Sequence, residues 1–265
     1  MQKLQALTQE QIQTKAPQVY TQAPFDGVSK NYTFLPTYQI VEDMEKLGWL
    51  VSDAKTMKSK TEVQKKYGKH MVTFFNPDIF VKDENGDIEA YPQVLIINNH
   101  RAWGKFKFEI GIFRLICSNG LVIKEKDFGT FDLRHIGYSF EELKRLVDQA
   151  VEVLPKAVER INIFSDKIMS PEEQTQFATK ALQARFGEEK LVDASEIDQI
   201  LYATRQEDQG NNLWTIFNRV QEHLVHGGFF TVSSDKKERK VRAIKNMQAD
   251  VELNQKLWEV AAEFC

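Results

Sequence analysis

Apolar residues change their spacing near residue 137, from the alternation expected of strands to the three-to-four-residue period of helices. Before the strands, PTYQIVEDMEKLGW sets Ile40, Val41, Met44 and Leu47 on one helical face, and Gly48 supplies the stop. Strands follow at Trp49 to Ala54 and His70 to Phe75, and two more flank Asn85-Gly86, a pair suited to a type I′ turn. VLIINN, residues 94 to 99, is apolar on both parities, as a strand covered on both faces would be. In Lys105 to Cys117 the apolar parity switches from Phe106, Phe108, Ile110 and Ile112 to Phe113, Leu115 and Cys117, which places a bulge at Gly111. With a bulge, Arg114 faces away from the second apolar set; without one, it falls in line with Phe108 and Ile112.

Beyond Gly137, Ser139 and Glu142 form a capping box ahead of a stripe from Leu143 through Leu146, Leu154 and Ile161, with Pro155 expected to kink or split the helix. Ser170-Pro171-Glu172-Glu173 opens a second helix to about Phe186, a third covers Leu213 to His226, and a last one runs from about Asp250 to Phe264. The predicted class is α+β: an antiparallel β-meander packed by a long helix, then a helical C-terminal half. The predicted organisation is an arm at 1–36, rich in Gln, Thr and Pro, an α+β core at 37–165, and a helical region at 166–265 with a mobile basic loop near 227–245.

Composition is that of an ordinary globular protein, 42% hydrophobic and 28% charged. A formal charge of -3 argues against coating nucleic acid through bulk charge and directs attention to local basic surface. Cys117 and Cys265 give no disulfide framework, and no apolar run reaches the length of a signal core or membrane span, so a cytoplasmic location and no membrane partner are expected.

Candidate chemistry lies in three places. Arg114, Arg134 and His135 sit within β-type sequence, where charged groups need a partner or a ligand; they and Asn119 are read as an anion site, against a simple Asp132–Arg134 surface pair and an Asn119-Gly120 hairpin turn. Trp214, Asn218, Glu222 and His226 fall at successive i, i+4 steps, either as a solvated face or as a polar row lining a groove. His223 and His226 lack a third ligand at recognisable spacing, so no metal and no cofactor is assigned. Basic stretches occupy residues 55–70 and 236–245, the latter with Lys236, Lys237, Arg239, Lys240 and Arg242 around the single acid Glu238. HRAWGKFKF adds Arg101 and Lys105 interleaved with aromatics, a pattern suited to tracking a phosphate backbone and stacking bases of a single strand.

FRLICSNGLVI, RHIG and LWTIFNRVQEHLVHGG together resemble the signature of a phage and plasmid family catalogued as domain of unknown function 932, from about Thr33 to the C-terminal helix. The matching residues are Arg114, Cys117, Asn119, Gly120, Arg134, His135, Gly137, Trp214, Asn218, Glu222 and His226. The resemblance implies a phage, prophage or plasmid origin, hence a bacterial or infected host cytoplasm, and implies no reaction. No P-loop, dinucleotide fingerprint, nucleophile elbow or zincin motif occurs in the sequence. The leading expectation is therefore single-stranded nucleic-acid binding, annealing-like by analogy of scaffold. The alternatives are an enzyme acting on a phosphate-containing substrate, with the arginines as clamps, and an inhibitor of a host defence protein; homo-oligomers are compatible with each.

Overall fold

The computed structural model describes residues 4–30, 32–57, 61–82, 86–102, 106–114, 119–123, 139–232 and 237–265. Contacts divide the chain into two compact units, Met1–Leu154 and Pro155–Cys265. The fold is α+β, as the change of period predicts.

In the first unit, α1 (Gln9–Lys15) and a 3-10 turn (Pro17–Tyr20) precede α2 (Thr37–Lys46). An antiparallel sheet follows, built from β1 (Leu50–Thr56), β2 (His70–Phe75), β4 (Ile88–Asn98), β5 (Lys107–Arg114) and β6 (Asn119–Ile123) in that order, with β3 (Val81–Lys82) also paired to β4. The short helix α3 (Glu62–Tyr67) interrupts the connection from β1 to β2. Pro92 falls between the stretch of β4 that pairs with β3 and the stretch that pairs with β2, a place where a missing N–H is tolerated. Val72, Phe74, Val94, Ile96 and Phe108 form one core with Ile40 and Met44 of α2 and with Leu143, Leu146, Val147 and Leu154 of α4 (Phe140–Asp166). The first 36 residues join that core through Ile12, Ala16, Val19 and Leu35, so the expected arm is packed on the unit's own sheet.

Three local expectations are corrected. Gly111 carries no bulge: β5 pairs in unbroken register with β4 from Lys107 to Arg114, and the register breaks fall in β1 and β3 instead. The apolar pattern changes parity because β5 is an interior strand with buried residues on both parities, Phe108 and Gly111 among them. Asn119-Gly120 is not the turn, because both residues belong to β6, where they pair with Arg114 and Phe113; strand pairing overrides the turn preference of the dipeptide. Pro155 does not split the long helix, which runs unbroken for 27 residues, although the boundary between the units falls at this proline.

The second unit contains the end of α4, then α5 (Pro171–Phe186), α6 (Ala194–Leu201), α7 (Leu213–His226) and α8 (Met247–Ala262). Phe164, Phe177, Phe217 and Trp258 fill its interior, with Phe217 edge-on to Trp258 at 6.1 Å. Between α7 and α8 lies the hairpin β7 (Phe230–Val232) and β8 (Glu238–Lys240), in the stretch where the sequence predicts a mobile loop. No described helix is long and apolar enough to cross a membrane.

Candidate nucleic-acid interface

Thr61 caps α3, its hydroxyl accepting the Gln64 N–H, and Gly68 ends the helix after one and a half turns. So short a helix is marginal by itself and is held by its surroundings. The Thr21 hydroxyl donates to the Lys66 carbonyl at 2.7 Å, and the His100 N–H donates to the Tyr67 carbonyl at 3.0 Å. The N–H of Phe25 in turn donates to the His100 carbonyl at 3.0 Å. After β4, the Asn99 side chain accepts the Arg101 N–H and Ala102 takes a left-handed φ of 58°, which turns the chain so that Arg101 meets Phe25.

These ties create a row of two rings with a cation at each end. The Lys66 ammonium lies 5.2 Å from the centre of the Tyr67 ring, Tyr67 meets Phe25 edge-on at 5.8 Å, and the Arg101 guanidinium lies 5.5 Å from the centre of Phe25. Phe25, Tyr67 and Arg101 are half-buried, whereas Lys65 and Lys66 are exposed. Beside the row is a depression of about 560 Å³, lined by Tyr20, Thr21, Gln22, Lys65, Lys66 and Tyr67 among others. Glu62 also lines it and pairs with Lys65 at 2.5 Å, an exposed i, i+3 contact of little strength.

Beneath the row lies a buried polar network at the end of the sheet. Thr56, His70 and Asn98 stand in register across β1, β2 and β4. Burial pushes the His70 imidazole down to about 4, against the upward pull of its 2.9 Å hydrogen bond to the Gly68 carbonyl. A neutral His70 therefore donates from Nδ1 to Gly68 and accepts at Nε2 from the Thr37 hydroxyl, 2.8 Å away. Asn98 donates to Thr37 Oγ1 and to the Leu35 carbonyl, both at 2.9 Å. His100 lies with its ring 4.9 Å from that of His70, and its Nε2 is 3.1 Å from the Gln18 carbonyl, which assigns the proton to that nitrogen. Gln18 Nε2 donates to Thr56 at 2.7 Å. The network fixes the chain segments that carry Phe25, Tyr67 and Arg101.

Of the residues singled out from sequence, Arg101 enters the row. Arg114 and Asn119 are brought opposite each other in the β5–β6 ladder. Lys105, Arg134, His135 and Lys236 lie outside the described residues. Lys237, Arg239, Lys240 and Arg242 are exposed on β8 and immediately to either side of it, belonging to the second unit. The four residues of the helical row differ in burial. Trp214 and Asn218 are buried, Trp214 stacked on Phe217 at 5.9 Å and Asn218 donating to the Trp214 carbonyl at 2.6 Å. Glu222 receives both terminal nitrogens of Arg205, and His226 is exposed. The first two of the four thus lie on the packed side of α7, where the apolar stripe is wider than a two-residue seam, and the row drifts outward to the exposed His226. Among the described residues no cluster of three His, Cys, Asp or Glu is arranged to hold a metal. Sequence reasoning missed Phe25 and Tyr20; a signal existed in the Thr8–Gln11 capping box, which announces an ordered N-terminal segment.

The family model described as domain of unknown function (DUF932) matches residues 24–258. The chain belongs to the DUF932 family. Two curated relatives from Escherichia coli (strain K12), UPF0380 protein YafZ and UPF0380 protein YfjQ, are each 27% identical over 260 residues, spanning 96% of this chain and 90% of the relative. No solved structure matches the chain. The DUF932 match takes in both units and every member of the cation–aromatic row, while α1 and the 3-10 turn that carry Gln18 and Tyr20 precede it.

Proposed function

We propose that this DUF932 protein binds single-stranded nucleic acid across the first unit, phosphates meeting Lys65, Lys66 and Arg101 and bases stacking on Tyr67 and Phe25. The observation that carries the reading is the Lys66–Tyr67–Phe25–Arg101 row: cations track a charged backbone, and ring faces accept any base. An acidic chain binds by a local patch rather than by its net charge. In the second unit, the exposed Lys237, Arg239, Lys240 and Arg242 are separate candidate phosphate contacts. Arg114 with Asn119, and Lys105, Arg134, His135 and Lys236, remain candidate anion contacts. An annealing role rests on the analogy of a meander backed by a long helix, and a phage or plasmid origin on the motif resemblance alone.

Fluorescence anisotropy with a labelled thymidine oligonucleotide tests this. The wild type should bind at low salt, and Lys66→Ala with Arg101→Ala should weaken binding and reduce the salt slope by about 0.7 per lost contact. Tyr67→Ala should weaken binding by about 1–3 kcal/mol with little change of slope. Absence of affinity at low salt would exclude the reading and turn attention to a protein partner.

A further inference from the structure

The hairpin of the second unit has two unlike edges. Backbone groups alternate in direction along an antiparallel strand, and in β7 those of Phe230 and Val232 point away from β8. Side chains saturate them. Gln199 of α6 accepts from the Phe230 N–H at 2.9 Å and donates to the Phe230 carbonyl at 3.2 Å, imitating a neighbouring strand. Glu196 accepts from the Val232 N–H at 2.8 Å, and the Lys190 ammonium reaches the Val232 carbonyl at 3.4 Å. The β7 edge is closed to pairing.

The β8 edge is open. Val241 donates to the Phe229 carbonyl at 2.8 Å, so alternation turns Val241 and Arg239 inward and sends the N–H and C=O of Glu238 and Lys240 outward. No described residue bonds these outward groups, and the whole of β8 is exposed. An open strand edge is a template for another strand, and proteins commonly guard such edges with charged side chains, lysine above all. Here one acid stands among cations: Glu238 and Lys240, of opposite sign, are two apart on the same face of the strand, and Lys237 and Arg239 are on the other.

We propose that β8 pairs antiparallel with β8 of a second copy of this chain, forming a two-fold symmetric β7–β8–β8–β7 sheet. Centred on Arg239, this register makes Glu238 a hydrogen-bonded pair with the partner's Lys240, and Lys240 with the partner's Glu238. The outward N–H and C=O groups at these positions are the ones the register needs, giving four backbone hydrogen bonds. The two Glu238–Lys240 pairs select this register over a shifted one, and the four backbone hydrogen bonds act against the repulsion of Arg239 by the partner's Arg239 and of the flanking Lys237 and Arg242. A two-fold contact of this kind closes on itself and does not propagate into fibres. The occupant is a second copy rather than a foreign acidic strand, because an all-acidic strand would oppose Glu238 while the chain's own sequence matches both signs.

Sedimentation velocity on the full, nuclease-treated chain tests the pairing without nucleic acid, so its outcome is independent of the binding reading above. A concentration-dependent monomer–dimer equilibrium is expected. Lys240→Glu opposes like charges twice and should weaken the dimer about tenfold, as should Glu238→Lys, whereas the double exchange Glu238→Lys with Lys240→Glu should restore it. Lys240→Pro removes an outward N–H that the β7 ladder does not use and should abolish the dimer with monomer stability kept. A chain that stays monomeric at its highest soluble concentration would overturn the proposal. So would a dimer unmoved by Lys240→Pro, or a double exchange no better than the single ones.

Discussion

The hydroxyl of Thr37, at the first turn of α2, donates to Nε2 of His70, 2.8 Å away in the interior of the first unit. That bond holds only while the imidazole is neutral, and burial keeps it neutral down to about pH 4.

Acid should therefore loosen the first unit before most carboxylates titrate. In the unfolded chain His70 takes a proton below about pH 6.5, whereas in the folded chain it resists down to about 4. The unfolded state binds more protons throughout that window, so stability is full above about pH 6.5, falls as pH drops, and levels off below about 4. The loss amounts to about 3 kcal/mol at most. Denaturant melts at pH 7.5, 5.5 and 4.5 should show His70→Gln with a shallower decline than wild type; parallel declines would remove His70 as the cause.

Removing the hydroxyl itself isolates the hydrogen bonds. Thr37→Val keeps the shape but strips His70 Nε2 of its donor and Asn98 of one acceptor, a cost of about 1–3 kcal/mol because both groups are buried. Thr37→Ser should retain most of the stability. Equal losses for the two variants in urea melts would mean that the methyl group, not the hydroxyl, matters.

Much of this architecture was legible. The helix period in Ile40, Val41, Met44 and Leu47, the strand at His70 to Phe75 and the capping box at Ser170 are local patterns with local causes. The polar network was not, because Gln18, Thr37, His70 and the Asn98–His100 pair come from four distant places and only the fold aligns them. The same holds for the row: Lys66 and Tyr67 are neighbours in sequence, but Phe25 and Arg101 join them only through the bonds at Thr21 and His100. On α7 the i, i+4 row starts inside, with Trp214 stacked on Phe217, and ends at the exposed His226, a change of burial that equal spacing does not reveal.

Burial ranks two leucines unambiguously. Leu146 is 3% exposed within the sheet–helix core, and Leu191 is 90% exposed. Leu146→Ala should cost about 2–5 kcal/mol, while Leu191→Ala should stay within about 0.5 kcal/mol of wild type. Thermal melts that fail to separate them would contradict the packing of α4 on the sheet.

Glu196 anchors the closed edge of the hairpin and makes the last prediction. Burial raises its carboxyl, but the Lys190 ammonium, the Thr231 hydroxyl and the N–H groups of Asp193 and Val232 together outweigh that and hold it below the ordinary glutamate range. Its stabilising contribution is thus present above the unfolded value near 4.5 and lost as pH falls through the lower folded value. Lys190→Met leaves the carboxylate buried without its cation and should cost about 3–5 kcal/mol at pH 7. Lys190→Met with Glu196→Leu removes the stranded charge, yet it also leaves the Val232 N–H without its acceptor, so only part of the loss should return. Hydrogen exchange at Val232 reports the difference: exchange should be faster in both variants, and an unchanged Val232 amide would show that Glu196 does not hold β7 in place.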